Sequence, residues 1–214
     1  MNPQLLIFDL DGTLIDSRRD LATAVNLMRR HFGLAPLPLD TITAFVGDGV
    51  RMLVTRALEG TAVDVGEALQ VQGPLYRAHL TDETTLYPGV LEGLHALARA
   101  GHTLAVATNK PVDATETILA HFQIRPLFGA VMGGGSTPHL KPDPESILAI
   151  MRIAGFPASD TWVVGDNHTD LAAARRAGVR SIFLTYGIGR QADENATLTL
   201  AAFADLTRLF TDAG

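Results

Sequence analysis

Cysteine is absent from this sequence of 214 residues, so disulfides and thiol catalysis are excluded. No apolar run approaches the roughly 18 residues that a membrane span requires, and the first residues lack the pattern of a signal peptide. Basic residues are outnumbered, 17 Lys and Arg against 23 Asp and Glu. The net charge of −6 argues against a general nucleic-acid or anionic-membrane surface, while leaving room for a local basic pocket. Internal repeats and low-complexity segments are missing too. These absences point to a cytoplasmic protein that works without nucleic acid or membrane. What is present is 47% hydrophobic and 19% charged residues, the mixture of an α/β protein with a real core. The length suits one large domain, or a core that carries a smaller insertion.

The chain is organised around Leu5-Leu6-Ile7-Phe8-Asp9-Leu10-Asp11-Gly12-Thr13-Leu14. Four consecutive apolar residues predict a short strand buried on both faces. Asp9 and Asp11 follow where that strand ends. In extended backbone they share a side unless the chain bends, and Gly12 permits the bend. Carboxylates this close to a buried strand require a cation, a proton or hydrogen-bond donors. A bare D-x-D-G can equally be an Asx turn that closes a strand.

From residue 16 to about residue 80 the pattern is helical. Ser17 is positioned to cap a helix whose apolar face holds Leu21, Ala24, Val25 and Met28, ending near Gly33. Ala35-Pro36-Leu37-Pro38 interrupts it. A short helix starts at Asp40 or Thr41, residues 46–50 form a turn, and another helix carries Met52, Leu53, Ala57 and Leu58. Residues 64–80 form a further helical stretch, predicted to break near Gly73-Pro74. No buried strand is expected here. After Tyr87-Pro88-Gly89-Val90 the period alternates. Strands are predicted at 103–107, 128–132, 161–164 and 181–184. Helices are predicted through Leu97, at about 113–121, 145–154 and 170–177, and at the C-terminus. The fold class is therefore α/β, a Rossmann-like parallel sheet with helices on both faces, interrupted after its first strand by a helical insertion.

In such sheets ligands sit beyond the carboxyl ends of the strands. Asp9 and Asp11 follow the first strand, and Thr108 and Asn109 the second. Gly165, Asp166 and Asp170 follow the strand at 161–164, and Lys141-Pro142 opens the helix before it. Asp9, Asp11, Asp166 and Asp170 can hold a hard, oxygen-liking cation such as Mg²⁺. Thr108, Asn109 and Lys141 suit an anion with several equatorial oxygens. Singly, each piece has a plain alternative: a turn at Thr108-Asn109, a solvated helix entry at Lys141-Pro142, a helix cap at Asp166 to Asp170. Their shared placement at strand ends and helix starts favours a metal facing a phosphoryl group.

Asp9-Leu10-Asp11-Gly12-Thr13, Thr108-Asn109, Lys141-Pro142 and Gly165-Asp166-Asn167-His168-Thr169-Asp170 resemble motifs one to four of the haloacid dehalogenase superfamily. The resemblance implies a Mg²⁺-dependent phosphatase that works through an aspartyl-phosphate. Asp9 would be nucleophile and metal ligand. Asp11 would serve as general acid, then base, with its main-chain carbonyl on the metal. Thr108 and Lys141 would hold phosphoryl oxygens, with Thr13 and Asn109 beside them. Asp166 would be a direct metal ligand and Asp170 a supporting carboxylate. True dehalogenases of the superfamily lack the second Asp and the metal, so Asp11 favours phosphate chemistry.

The insertion resembles the mobile cap of one branch of that superfamily, which implies a core at 1–15 and 85–214 and a cap at 16–84. Leu14-Ile15-Asp16-Ser17, Phe45-Val46-Gly47-Asp48-Gly49-Val50, Thr108-Asn109-Lys110-Pro111 and Leu184-Thr185-Tyr186-Gly187 resemble bacterial phosphoglycolate phosphatases within it. That implies a small phosphorylated metabolite as partner, 2-phosphoglycolate first, and a monomer or homodimer. Another sugar-phosphate phosphatase, a phosphomutase and a non-catalytic phospho-ligand sensor are the alternatives. Gly47 and Gly49 either cap a helix or let backbone N–H groups approach an anion. Arg18 and Arg51 are candidates for a substrate carboxylate, or solvated arginines. Two positions depart from the family pattern: Gly135, where an acidic residue often follows Gly-Gly, and Ile188-Gly189, where longer polar residues are usual. Gly133-Gly134-Gly135 is not G-x-G-x-x-G, so dinucleotide binding carries little weight. His168 reads as a variable loop residue and Trp162 as core.

Overall fold

The computed structural model describes residues 2–211. The apolar run forms β1 (Leu5–Phe8), with all four side chains buried. A two-residue strand β2 (Ile15–Asp16) follows, then the helices α1 (Arg18–His31), α2 (Leu39–Thr43), α3 (Val50–Ala57) and α4 (Val65–Ala78). The chain returns through β3 (Thr85–Leu86) to α5 (Val90–Arg99), β4 (Thr103–Pro111), α6 (Val112–His121) and β5 (Phe128–Gly134). It ends with α7 (Glu145–Ala154), β6 (Thr161–Gly165), α8 (His168–Ala177), β7 (Arg180–Leu184), β8 (Leu198–Leu200) and α9 (Phe203–Thr211). No helix among the described residues is long and apolar enough to cross a membrane.

Among the described residues, six strands form one parallel sheet in the order β5-β4-β1-β6-β7-β8. Strand alternation sorts β1 between two cores. Leu6 and Phe8 join Leu94 and Leu97 of α5, Ile118 of α6 and Phe203 of α9. Leu5 and Ile7 join Ile147 and Ile150 of α7 and Ala173 and Ala174 of α8. The doubly covered sheet explains why its strands read as continuous apolar runs. Phe8 is opposite Val106 of β4 and Val164 of β6. That register brings three strand ends, and their polar residues, to one edge.

The helical insertion is present, and five features of the fold differ from the sequence reading. Ser17 does not cap α1: at φ −106° and ψ 7° its backbone is not in the extended geometry that aims a hydroxyl at the first free N–H groups. Its Oγ donates instead to Asp11 Oδ1 at 2.5 Å. Nor does α4 break at Gly73-Pro74. Pro74 lacks one N–H, yet Ala68, Gln72 and Tyr76 stay buried along one face of a continuous helix. That face packs on α1 and α3, which outweighs the missing bond. The third difference is the antiparallel ribbon of β2 and β3, which joins the two passages between sheet and helices. It pairs only two residues per strand, too few for a sequence signal. Finally, β4 runs on to Pro111 through a register irregularity after Ala107, so Thr108 and Asn109 lie in its distorted end. The edge strand β8 is short and half-buried and was not expected either.

Asp20 staples the returning passage. Its buried carboxylate accepts from Glu83 N, Thr84 N and Thr84 Oγ1, the last at 2.6 Å. Asp20→Ala would leave buried donors unmatched, at a cost of about 3 kcal/mol. For a chain of this size the melting temperature should fall by roughly 6–12 °C. A thermal shift below about 2 °C would mean that water replaces the carboxylate without loss.

Candidate active site

Asp9 leaves β1 with its N–H on the Val164 carbonyl at 2.9 Å, so the strand pairing itself fixes where the carboxylate begins. Lys141 meets it there. Its Nζ donates to Asp9 Oδ1 at 2.9 Å, Asp170 Oδ1 at 2.6 Å and the Ala107 carbonyl at 2.6 Å. Burial would lower this ammonium, but the charges of Asp170 and Asp9 outweigh that and the net shift is upward. Lys141 therefore stays a cation.

Asp166 follows β6 and is wrapped by backbone. Oδ2 accepts from Ile188 N and Gly189 N at 2.9 and 2.8 Å, and Oδ1 accepts from Thr13 Oγ1 at 2.9 Å. A Cβ on Gly187 would come within 2.2 Å of Asp166 Cβ, so only glycine lets this loop close on the carboxylate. Here the departure at Ile188-Gly189 finds its explanation, because main-chain amides serve and a Cβ on Gly189 would come within 2.6 Å of the Asp166 carbonyl oxygen. Burial first, and then the charges of Asp9 and Asp170, push the Asp166 carboxyl up to about 8.

At Asp170, capping and site chemistry coexist. Oδ2 accepts from Asn167 N, completing a capping box at the start of α8, while Oδ1 binds Lys141. Burial raises its carboxyl, with Lys141 acting against that rise. Asp9, Asp166 and Asp170 each place an oxygen within 4.8 Å of the others, all three buried. This all-oxygen set, with more negative charge than Lys141 balances, fits a hard divalent cation such as Mg²⁺.

Asp11 stands apart from that cluster. Its carboxylate accepts from Ser17 Oγ and from Lys110 Nζ, at 2.7 and 3.0 Å for the latter. Gly12, at φ +86°, makes the turn between these groups, and a Cβ there would lie 2.0 Å from Asp166 Oδ2. Asn109 ties three segments together: its amide donates to the Gly47 and Lys141 carbonyls, both at 2.9 Å, and accepts from Lys141 N at 2.8 Å. Thr108 is buried, and its Oγ1 accepts from Lys110 N at 3.3 Å.

A cavity of about 50 Å³ lies over these groups, lined from the sheet side by Asp9, Asp11 and Thr108 and from the helical side by Gly47, Gly49 and Tyr76. Both glycines have positive φ, +120° and +86°. A Cβ on Gly47 would meet Asn167 Nδ2 at 2.4 Å, so the turn sits directly on the sheet edge. Arg18 and Arg51 are not in the cavity wall. Arg18 forms a two-point pair with Asp16, and Arg51 is exposed on α3. His168 is half-buried and lies outside the three-carboxylate cluster.

The family model described as haloacid dehalogenase-like hydrolase matches residues 6–184, from β1 to the end of β7. The chain belongs to that family. This hydrolase is 40% identical to a phosphoglycolate phosphatase of Psychrobacter arcticus, over 98% of this chain and 95% of that protein. It is 38% identical to a phosphoglycolate phosphatase of Chromobacterium violaceum, over 93% and 92%. A crystal structure of a predicted phosphoglycolate phosphatase from Haemophilus somnus superimposes with a TM-score of 0.90 at 31% identity, covering 98% of both chains. The hydrolase is thus an enzyme of the phosphoric monoester class, similar to bacterial phosphoglycolate phosphatases.

Sequence reasoning assigned no role to Lys110, Gln72 and Tyr76. Lys110 had a signal, as a lysine directly after Thr108-Asn109 at the end of a buried strand. Gln72 and Tyr76 had only their polar character on the inward face of a helix.

Proposed function

We propose that this hydrolase converts 2-phosphoglycolate to glycolate and phosphate, with residues 16–84 acting as a cap over a core of residues 1–15 and 85–214. The observation that carries the reading is the meeting of Asp9, Lys141 and Asp170 beneath a small cavity whose other wall comes from the helices. The likeness to phosphoglycolate phosphatases supports the choice of substrate.

Asp9 attacks phosphorus, and the bond from phosphorus to the glycolate oxygen breaks. Asp11 protonates that leaving oxygen, then takes a proton from the water that attacks the aspartyl-phosphate, which releases phosphate and restores Asp9. Lys141 and Thr108 hold phosphoryl oxygens. Thr13 and the amides of Ile188 and Gly189 keep Asp166 oriented. Asp170 orients Lys141 from below. Mg²⁺, held by Asp9, Asp166 and the Asp11 carbonyl, would supply charge neutralisation for a dianionic ester. Asn109 keeps the Gly47 turn of the cap against the Lys141 loop, so cap and chemistry are joined by one amide. The proposed setting is cytoplasmic, with the enzyme as monomer or homodimer and no nucleic-acid or membrane partner.

Turnover across a panel of phosphorylated metabolites with Mg²⁺ tests the reading. 2-Phosphoglycolate should give the highest kcat/KM, by at least about tenfold over hexose and pentose phosphates, about 1.4 kcal/mol of transition-state binding. A sugar phosphate that outranks it would overturn the substrate. An isomerised product in place of free phosphate would make the enzyme a mutase.

A further inference from the structure

Gln72 and Tyr76 are four residues apart on α4, so they share a face. That face closes the cavity above Asp9 and Asp11. Both side chains are buried, at 1% and 5% exposure. Among the described residues, Gln72 Nε2 has no hydrogen-bond partner, and Tyr76 Oη interacts with Lys110 Nζ without a hydrogen bond of good geometry. A buried polar atom without a partner is costly, and such an amide beside an under-satisfied hydroxyl in one cavity wall points to a partner that enters with the substrate. Lys110 forms the adjoining wall, its Nζ 4.8 Å from the centre of the Tyr76 ring. An ammonium has three donors, and Asp11 takes two of them.

This wall offers an amide N–H pair, a hydroxyl and a cation, the last already paired with Asp11. Burial raises the Tyr76 hydroxyl to about 12, so it keeps its proton at neutral pH. Such a set calls for an acceptor-rich anion. The cavity of about 50 Å³ lies between this wall and Asp9, and its small size suits a short acid.

We propose that Gln72, Tyr76 and Lys110 read the carboxylate of the substrate while its phosphoryl group meets Asp9. This inference rests on the phosphoglycolate reading above. It transfers recognition of the acid from Arg18 and Arg51, which lie outside the cavity, to α4 and the end of β4. Selectivity for a short acid then follows from donors that stay unmatched when an ester without a carboxylate is bound.

The test compares 2-phosphoglycolate with ethyl phosphate, which lacks the carboxylate, in the wild type, Gln72→Leu and Tyr76→Phe. Each variant should lose about 10- to 100-fold in kcat/KM on 2-phosphoglycolate, mostly through KM, and less than about threefold on ethyl phosphate. Competitive inhibition by inorganic phosphate should be unchanged, which reports an intact phosphoryl pocket. Gln72→Glu, of the same shape but anionic, should discriminate against 2-phosphoglycolate still more strongly. Equal losses on both esters, or no loss on either, would overturn the assignment and leave the two groups as structural. A wild type that does not prefer 2-phosphoglycolate over ethyl phosphate would overturn the proposed substrate and this wall together. A preference that survives in both variants would overturn the wall alone.

Discussion

Asp9→Asn should lower kcat by at least about a thousandfold while leaving the fold in place. The amide keeps the size and position of the side chain but cannot attack phosphorus. Lys141 retains Asp170 Oδ1 and the Ala107 carbonyl, so its charge stays matched in the variant. One carboxylate fewer also relieves the crowding around Asp166 and Asp170. The melting temperature should therefore hold or rise slightly, which separates lost chemistry from lost structure. Rapid quenching with labelled substrate should trap phosphate on the wild-type protein and none on the variant. More than about a tenth of wild-type activity, with deamidation excluded by mass spectrometry, would remove Asp9 from the nucleophile's role.

Removal of divalent metal should stop turnover, and Mg²⁺ should restore it. Ca²⁺ should substitute poorly, because its larger and looser shell misplaces the attacking oxygen. The same carboxylates give the metal a pH signature. Asp166 is raised from the usual 3.8 to about 8 by burial and by its acidic neighbours. Between those values the metal-free native state holds a proton that the unfolded chain has lost. The contribution of this group to stability is thus complete below about pH 4 and is lost as pH rises through about 8. Mg²⁺ needs the ionised form, so its stabilising effect should grow over the same range. Melting curves with chelator and with Mg²⁺ at pH 5 and pH 8 measure both trends. The gap between the two curves should be wider at pH 8. Full activity in buffer shown by elemental analysis to be metal-free would contradict the assignment, and a gap that narrows with pH would contradict the role of Asp166.

The sequence by itself determined the sheet and the acidic half of the site. β1, β6 and β7 are buried on both faces and read as apolar runs, and a parallel sheet has its ligands at one end. Asp9 and Asp166 follow paired strands whose register sets them at one height, while Lys141 from the turn before α7 and Asp170 from the first turn of α8 reach the same edge. Tertiary structure decided what those groups touch. Ser17 faces Asp11 instead of capping α1, and Asn109 joins the Gly47 turn to the Lys141 loop. The persistence of α4 past Pro74 came from burial against α1 and α3, which local propensity does not contain. Tyr76 reaches the cavity only because that helix continues past Pro74, which sets its ring beside Lys110 at the end of β4. Periodicity shows which face of a helix is inward, whereas the identity of the neighbour across the cavity depends on how distant segments pack.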